Sequence, residues 1–194
     1  MAGRSPPIYT IGHSTLTIPA FVDLLRVGEV QLVADIRTVP RSRTNPQYNR
    51  DTFPGALAGY QVDYRYLDAL GGLRGRTPGV APEVNGLWRN RSFHNYADYA
   101  LTEAFAEGLQ ELLALAAGQR CAIMCAEAVW WRCHRRIVAD YLLARGREVF
   151  HLMAPDRAEL ARLTPGAVVA GGSVTYPPPE PEAAPLTAAA ASGP

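Results

Sequence analysis

The sequence predicts a single-domain α/β protein, an open and mostly parallel sheet with helices on both faces. Three observations predict it. Apolar runs of strand length occur at 8–14, 31–37, 121–127 and 148–153. Helical periodicity occupies much of the sequence between them. A chain of 194 residues, 48% apolar, suits one domain with a sizeable core. Strands that alternate with helices close into a parallel sheet through right-handed crossovers.

The elements follow in order. Residues 8–14, "IYTIGHS", read as a buried strand ending in Gly-His-Ser. The next segment is an amphipathic helix, with Thr17 as N-cap, Pro19 in the first turn and Gly28 as the stop. Residues 31–37 form a second buried strand, followed by a polar loop punctuated by Pro40 and Pro46. A short helix is expected within 51–60, and 62–67 alternates like a strand. Residues 71–93 make a long Gly/Pro-rich loop, a length usually associated with function or mobility. Residues 95–118 predict the longest helix, ending at Gly118. Residues 121–127 are a further strand. Residues 133–146 are a helix opened by Cys133, with Ile137, Val138, Tyr141 and Leu142 on one face. Residues 148–153 are the last expected strand. The domain is therefore placed at 1–164, and 165–194 is expected to be a disordered Pro/Ala-rich tail.

Composition narrows the function classes. No apolar run approaches the ~20 residues of a membrane helix, and the first ten residues lack a signal-like apolar segment. Cytoplasm is the expected compartment, without a membrane partner. Three cysteines argue against a disulfide framework, and a close cysteine pair in a reducing compartment points to metal or chemistry. All 19 basic residues are arginine. Schiff-base chemistry and a phosphate-loop lysine are excluded, and an anion must be held by arginine forks, backbone amides or helix ends. The net charge is only +1, yet arginines cluster at 37–50, 74–91 and 132–136. Convergence of these stretches makes a positive cleft that suits an anionic small molecule or a nucleic-acid component.

In open α/β sheets ligands bind at the carboxyl ends of the strands. Polar residues fall there on three strands: His13 and Ser14, Asp35 and Arg37, and Cys125 and Glu127. The stretches "TIGHST", "DIRTVPRSRTNPQYN", "YRYLDALGGLR" and "MCAEAVWWRCHRRIVADYL" together resemble the family catalogued as domain of unknown function 488. The resemblance spans roughly Tyr9 to Met153. It implies a frame of Cys-Ala-Glu, a short variable segment, and Cys-His-Arg, here with "AVWW" in place of more polar residues. It implies no established reaction.

The chemistry stays open between several options. A thiol at a helix N-terminus beside Arg132, Arg135 and Arg136 has a lowered pKa, so Cys133 is a candidate thiolate, with Cys125 as its resolving partner. Cys121 belongs to the core. Alternatively Cys125, Cys133, His134 and His13 ligate zinc or iron. A third layout, the cysteine–arginine anion loop of rhodaneses and cysteine phosphatases, fits poorly because the loop lacks glycine. Glu127 and His13 are candidate proton-transfer groups, and Asp35 is a candidate base or orienting carboxylate. Ser14, Arg37, Ser42, Arg43, Tyr66, His134 and Arg135 are candidate anion- or substrate-binding residues. Aromatics interleaved with arginines, in "PRSRTNPQYN" and "LWRNRSFHNY", suit base stacking with nearby phosphate contacts. The expectation is an enzyme that acts on a nucleotide or nucleic-acid component, its cofactor unspecified. The alternatives are a non-catalytic nucleic-acid-binding module and a metalloprotein.

Overall fold

A computed structural model describes residues 5–179. The extreme N-terminus and the expected tail from 180 onward lie outside the described residues. Five parallel strands form the sheet: β1 (Ile8–Gly12), β2 (Leu32–Asp35), β3 (Asp63–Tyr66), β4 (Cys121–Cys125) and β5 (Val149–Ala154). A sixth, β6 (Arg157–Leu160), adds antiparallel to β5, giving the order β3-β2-β4-β1-β5-β6.

Alternate side chains go to opposite faces of each strand, so each apolar run feeds two cores. On one face Tyr9, Ile11, Val33, Ala122 and Met124 pack under α1 (Ile18–Val27) and α2 (Phe53–Ala58). On the other, Ile8, Leu32, Ala34, Cys121 and Ile123 pack under α3 (Arg91–Tyr99), α4 (Glu103–Leu115) and α5 (Arg135–Ala144). The Thr17 hydroxyl caps α1 by accepting from the Ala20 amide, and Gly28 ends it. The four apolar residues expected on one face of α5 are all buried.

Three expectations are corrected. The long helix at 95–118 is two helices. Thr102 breaks it, because its hydroxyl donates to the Tyr99 carbonyl and accepts from the Phe105 amide, which caps α4. That helix ends at Leu115, ahead of Gly118. Cys133 does not open α5. A 3₁₀ turn at Trp130–Arg132 leads into an extended Cys133 (φ −128°, ψ 148°), and α5 begins at Arg135. The chain also does not leave the domain at 164. After β6, β7 (Val168–Ala170) and β8 (Ser173–Thr175) form a hairpin over Gly171-Gly172, both with positive φ. Tyr176 then enters the core, its hydroxyl donating to Asp140 and its amide to Asn85 Oδ1. "VVAGGSVTY" is a hairpin pattern that the flanking Pro/Ala composition obscures.

The topology selects one crevice. From β1 the chain crosses by α1 toward β2, and from neighbouring β4 it crosses by α5 toward β5. The two connections leave in opposite directions, so a switch point lies beyond the carboxyl ends of β1 and β4. There the strands stay paired past their ends: His13 donates its amide to the Cys125 carbonyl and Ser14 to that of Ala126.

Candidate active site

A cavity of about 330 Å³ opens at this switch point. Cys125, Cys133 and His134 line it, together with Arg37, Thr38, Val39, Gly72, Leu73, Ser92, Phe93, Glu127 and Arg132. The two sulfurs and a ring nitrogen of His134 all lie within 4.8 Å of one another. Cys133 and His134, read from the sequence as successive residues of one helix, converge because Cys133 is extended. The Cys133 sulfur is 3.5 Å from His134 Nδ1, and the Cys125 sulfur 3.9 Å.

The imidazole is held from behind. Its Nε2 is 2.9 Å from the Ile36 carbonyl, which only accepts, so Nε2 carries the proton and Nδ1 faces the sulfurs. Tyr96 packs edge-on against the ring, with centroids 5.0 Å apart, and donates its hydroxyl to the Leu70 carbonyl. Gly72 covers another side, where a β-carbon would stand 2.3 Å from Nδ1. Gly72→Ala is therefore expected to displace His134. In chelator-treated protein the rate of Cys133 alkylation at pH 7 should fall, because the displaced ring no longer favours the thiolate. Gly75→Ala, with open space around its β-carbon, should leave that rate unchanged.

Arg135 is almost fully buried beneath the cluster. Its Nε donates to the Cys133 sulfur at 3.3 Å and its Nη2 to the Glu127 carbonyl at 2.5 Å. The two thiols are driven apart in acidity. Burial opposes ionisation of Cys133, but the hydrogen bond from Cys125, the positive charge that His134 carries when Nδ1 holds the thiol's proton, and Arg135 outweigh it and hold the thiol well below its usual range. Its hydrogen bond to Cys133, together with burial, pushes Cys125 well above that range. Cys121 faces the core, fully buried, as expected.

Asp35 is not poised as a base. It is fully buried, accepts from the Arg37 side chain through both oxygens, and takes a further bond from the Tyr64 hydroxyl at 2.7 Å. It orients Arg37, whose remaining nitrogen reaches His13 Nε2 at 3.3 Å and whose Nη2 also donates to the Tyr48 carbonyl. His13 is a positioning residue too. A guanidinium only donates, so Nε2 accepts, and Nδ1–H donates to the Ser14 carbonyl at 2.9 Å. The ring stacks on Tyr48 at 4.1 Å, and burial pushes its pKa down to about 4. At neutral pH it is a fixed neutral ring, contrary to the proton-transfer role expected for it, and it does not join the cysteines as a metal ligand.

The other expected site residues divide. Ser14 and Ser42 line an adjoining cavity of about 350 Å³ with Arg37, Arg41 and Asn45; Arg37, Val39 and Ala126 border both cavities. Glu127 is exposed at the mouth of the first cavity, and its contact with Arg135 is made by its carbonyl. Tyr66 supports the wall, donating to the Thr38 carbonyl, while the Thr38 hydroxyl accepts from the Leu73 amide. Arg43 is exposed and lines neither cavity. Most of the interleaved aromatics are anchors. Tyr48 and Tyr96 are fully buried, and Trp88 packs against Phe93, Tyr176 and the Arg136 guanidinium.

The matching family model is described as "Domain of unknown function DUF488", over residues 17–142. The chain belongs to the DUF488 family. No curated protein and no solved structure matches it. The matched DUF488 segment contains Asp35, Arg37 and the Cys125–Cys133–His134 cluster, whereas His13 and Ser14 precede it. In the segment where this DUF488 chain carries "AVWW", Trp130 stacks on His151 at 4.2 Å and Trp131 is 46% exposed. Sequence reasoning missed the wall made by Thr38, Val39, Leu73 and Ser92, and the Ile36 carbonyl. Gly71-Gly72 was the available signal, a glycine pair where backbone meets ring.

Proposed function

We propose that this protein is an enzyme whose reacting centre is Cys125, Cys133 and His134 and whose substrate is a nucleotide or nucleic-acid component. One observation carries the reading: two sulfurs and an imidazole nitrogen converge at a cavity that Arg37 and Arg132 also line. The volume, about 330 Å³, is that of a small-molecule site. Its walls are mixed. The arginines suit phosphate, and the apolar faces of Val39, Leu73 and Phe93 suit a planar base. Val39 and Leu73 are 60% and 74% exposed, so they border the mouth with apolar surface that no described residue covers.

The test is a panel of nucleoside mono- and triphosphates and short single-stranded oligonucleotides, read by ligand-induced Tm shift and by chromatography of products. At least one member should raise Tm and be converted. Arg132→Ala should weaken its binding about tenfold, the loss of roughly one charge-assisted contact. Cys133→Ser should abolish conversion while binding persists. A panel without any Tm shift, or conversion indifferent to Cys133→Ser, refutes the assignment.

A further inference from the structure

We propose that Cys125, Cys133 and His134 form a three-ligand site for a zinc-class divalent ion, with the fourth coordination position turned to the cavity. The inference rests on the reading of this cluster as the reacting centre and names its cofactor. Thiolate and imidazole are the donors such ions select. The spacing agrees with tetrahedral coordination. With metal–sulfur bonds of ~2.3 Å and a metal–nitrogen bond of ~2.05 Å, a sulfur and a nitrogen on one ion stand ~3.5 Å apart. The Cys133–His134 separation is 3.5 Å, and that of Cys125 is 3.9 Å.

A second, independent feature points the same way. His134 presents Nδ1 to the sulfurs while Nε2–H is tied to the Ile36 carbonyl, and Gly72 and Tyr96 fix the ring plane. A metal-ligating histidine characteristically has its other nitrogen held by a carbonyl or carboxylate, which sets the tautomer and orientation. The hydrogen bond from Arg135 Nε to the Cys133 sulfur disperses thiolate charge without occupying the cavity side. His13 is engaged by Arg37 and Ser14, so among the described residues the site has three protein ligands, the number found where a fourth position serves water or substrate. On coordination each sulfur lone pair enters a bond to the ion. Any thiol still protonated loses its S–H proton to the buffer, and no electrons are transferred.

The experiment uses the full chain purified without chelator, then stripped and titrated with Zn²⁺ and Co²⁺. One equivalent of Zn²⁺ should bind, with heat that depends on the buffer's ionisation enthalpy because protons are released. Co²⁺ should give the visible bands of a tetrahedral ion together with sulfur-to-metal charge transfer. Cys133→Ser and His134→Ala should each weaken Zn²⁺ binding at least a hundredfold, whereas Cys121→Ala should not. Because a variant can fail to fold, the cobalt spectrum of the unmodified chain is decisive by itself: octahedral bands or no spectral change would overturn the site. Metal-free protein that still converts a panel nucleotide in excess chelator also overturns it, while leaving the reacting-centre reading intact. Stoichiometric tetrahedral binding with no nucleotide converted sustains the metal site and removes the nucleotide assignment instead.

Discussion

Asp35→Ala is expected to destabilise the fold by about 3–5 kcal/mol, the range for a buried charge stripped of its partner. Asp35 is fully buried and Arg37 is 5% exposed, so water does not replace the missing carboxylate. The loss also frees the Tyr64 hydroxyl, and Tyr64→Phe alone should cost only about 1 kcal/mol. Urea denaturation of the two variants measures both values. The functional consequence comes through geometry. Arg37 borders both cavities and bonds to His13 and the Tyr48 carbonyl, so an unanchored guanidinium loosens the wall around the cluster. A cost below about 1 kcal/mol for Asp35→Ala would mean that the pair does not hold this corner together.

Acidification should begin to destabilise the protein near pH 6.5, before most carboxylates titrate. Burial pushes the pKa of His13 and of His151 down to about 4 from an ordinary value of 6.5. Nearby arginine charge, Arg37 at His13 and Arg135 at His151, acts in the same direction. Both folded-state values lie below the unfolded one, so the unfolded chain takes up protons first. The stabilisation is complete above about pH 6.5 and disappears as pH falls through 4. Each histidine contributes up to about 3 kcal/mol over that window, and the pair up to about 6. Asp140 works in the opposite sense: burial raises its pKa, so native protein binds that proton more readily and gains stability on acidification. Two histidines oppose one aspartate, and the net slope should be a loss. Urea midpoints between pH 7 and 4.5 check it, and His151→Gln should remove about half of the slope. A flat profile in the parent protein would contradict the buried neutral imidazoles.

His13 lies outside the Cys125–Cys133–His134 cluster: its place at a strand end was legible in the sequence, and its neighbours there were not. His13, Asp35 and Cys125 do end or directly follow adjacent strands, because apolar runs of strand length are local and parallel crossovers leave few topologies. What each side chain meets was not legible. His134 was read as a substrate contact and a conditional ligand, yet its orientation depends on the Ile36 carbonyl 98 residues away. His13 had the more suggestive motif, and Arg37 and Tyr48 immobilise it.

The sequence by itself determined the α/β class, the succession of the five parallel strands along the chain, the family, and the end of the sheet at which polar groups gather. Periodicity, caps and apolar runs are encoded by residues within a turn or two of one another. Only the tertiary structure decided which of those groups touch. It bent 130–134 so that Cys133 is extended and its sulfur meets His134. It closed Arg37 onto Asp35. It also drew Tyr176 back onto Asp140, against a composition that reads as a tail. Such contacts are energetically favourable only when distant segments are already packed, because burial makes an unpaired charge or hydrogen-bonding group costly.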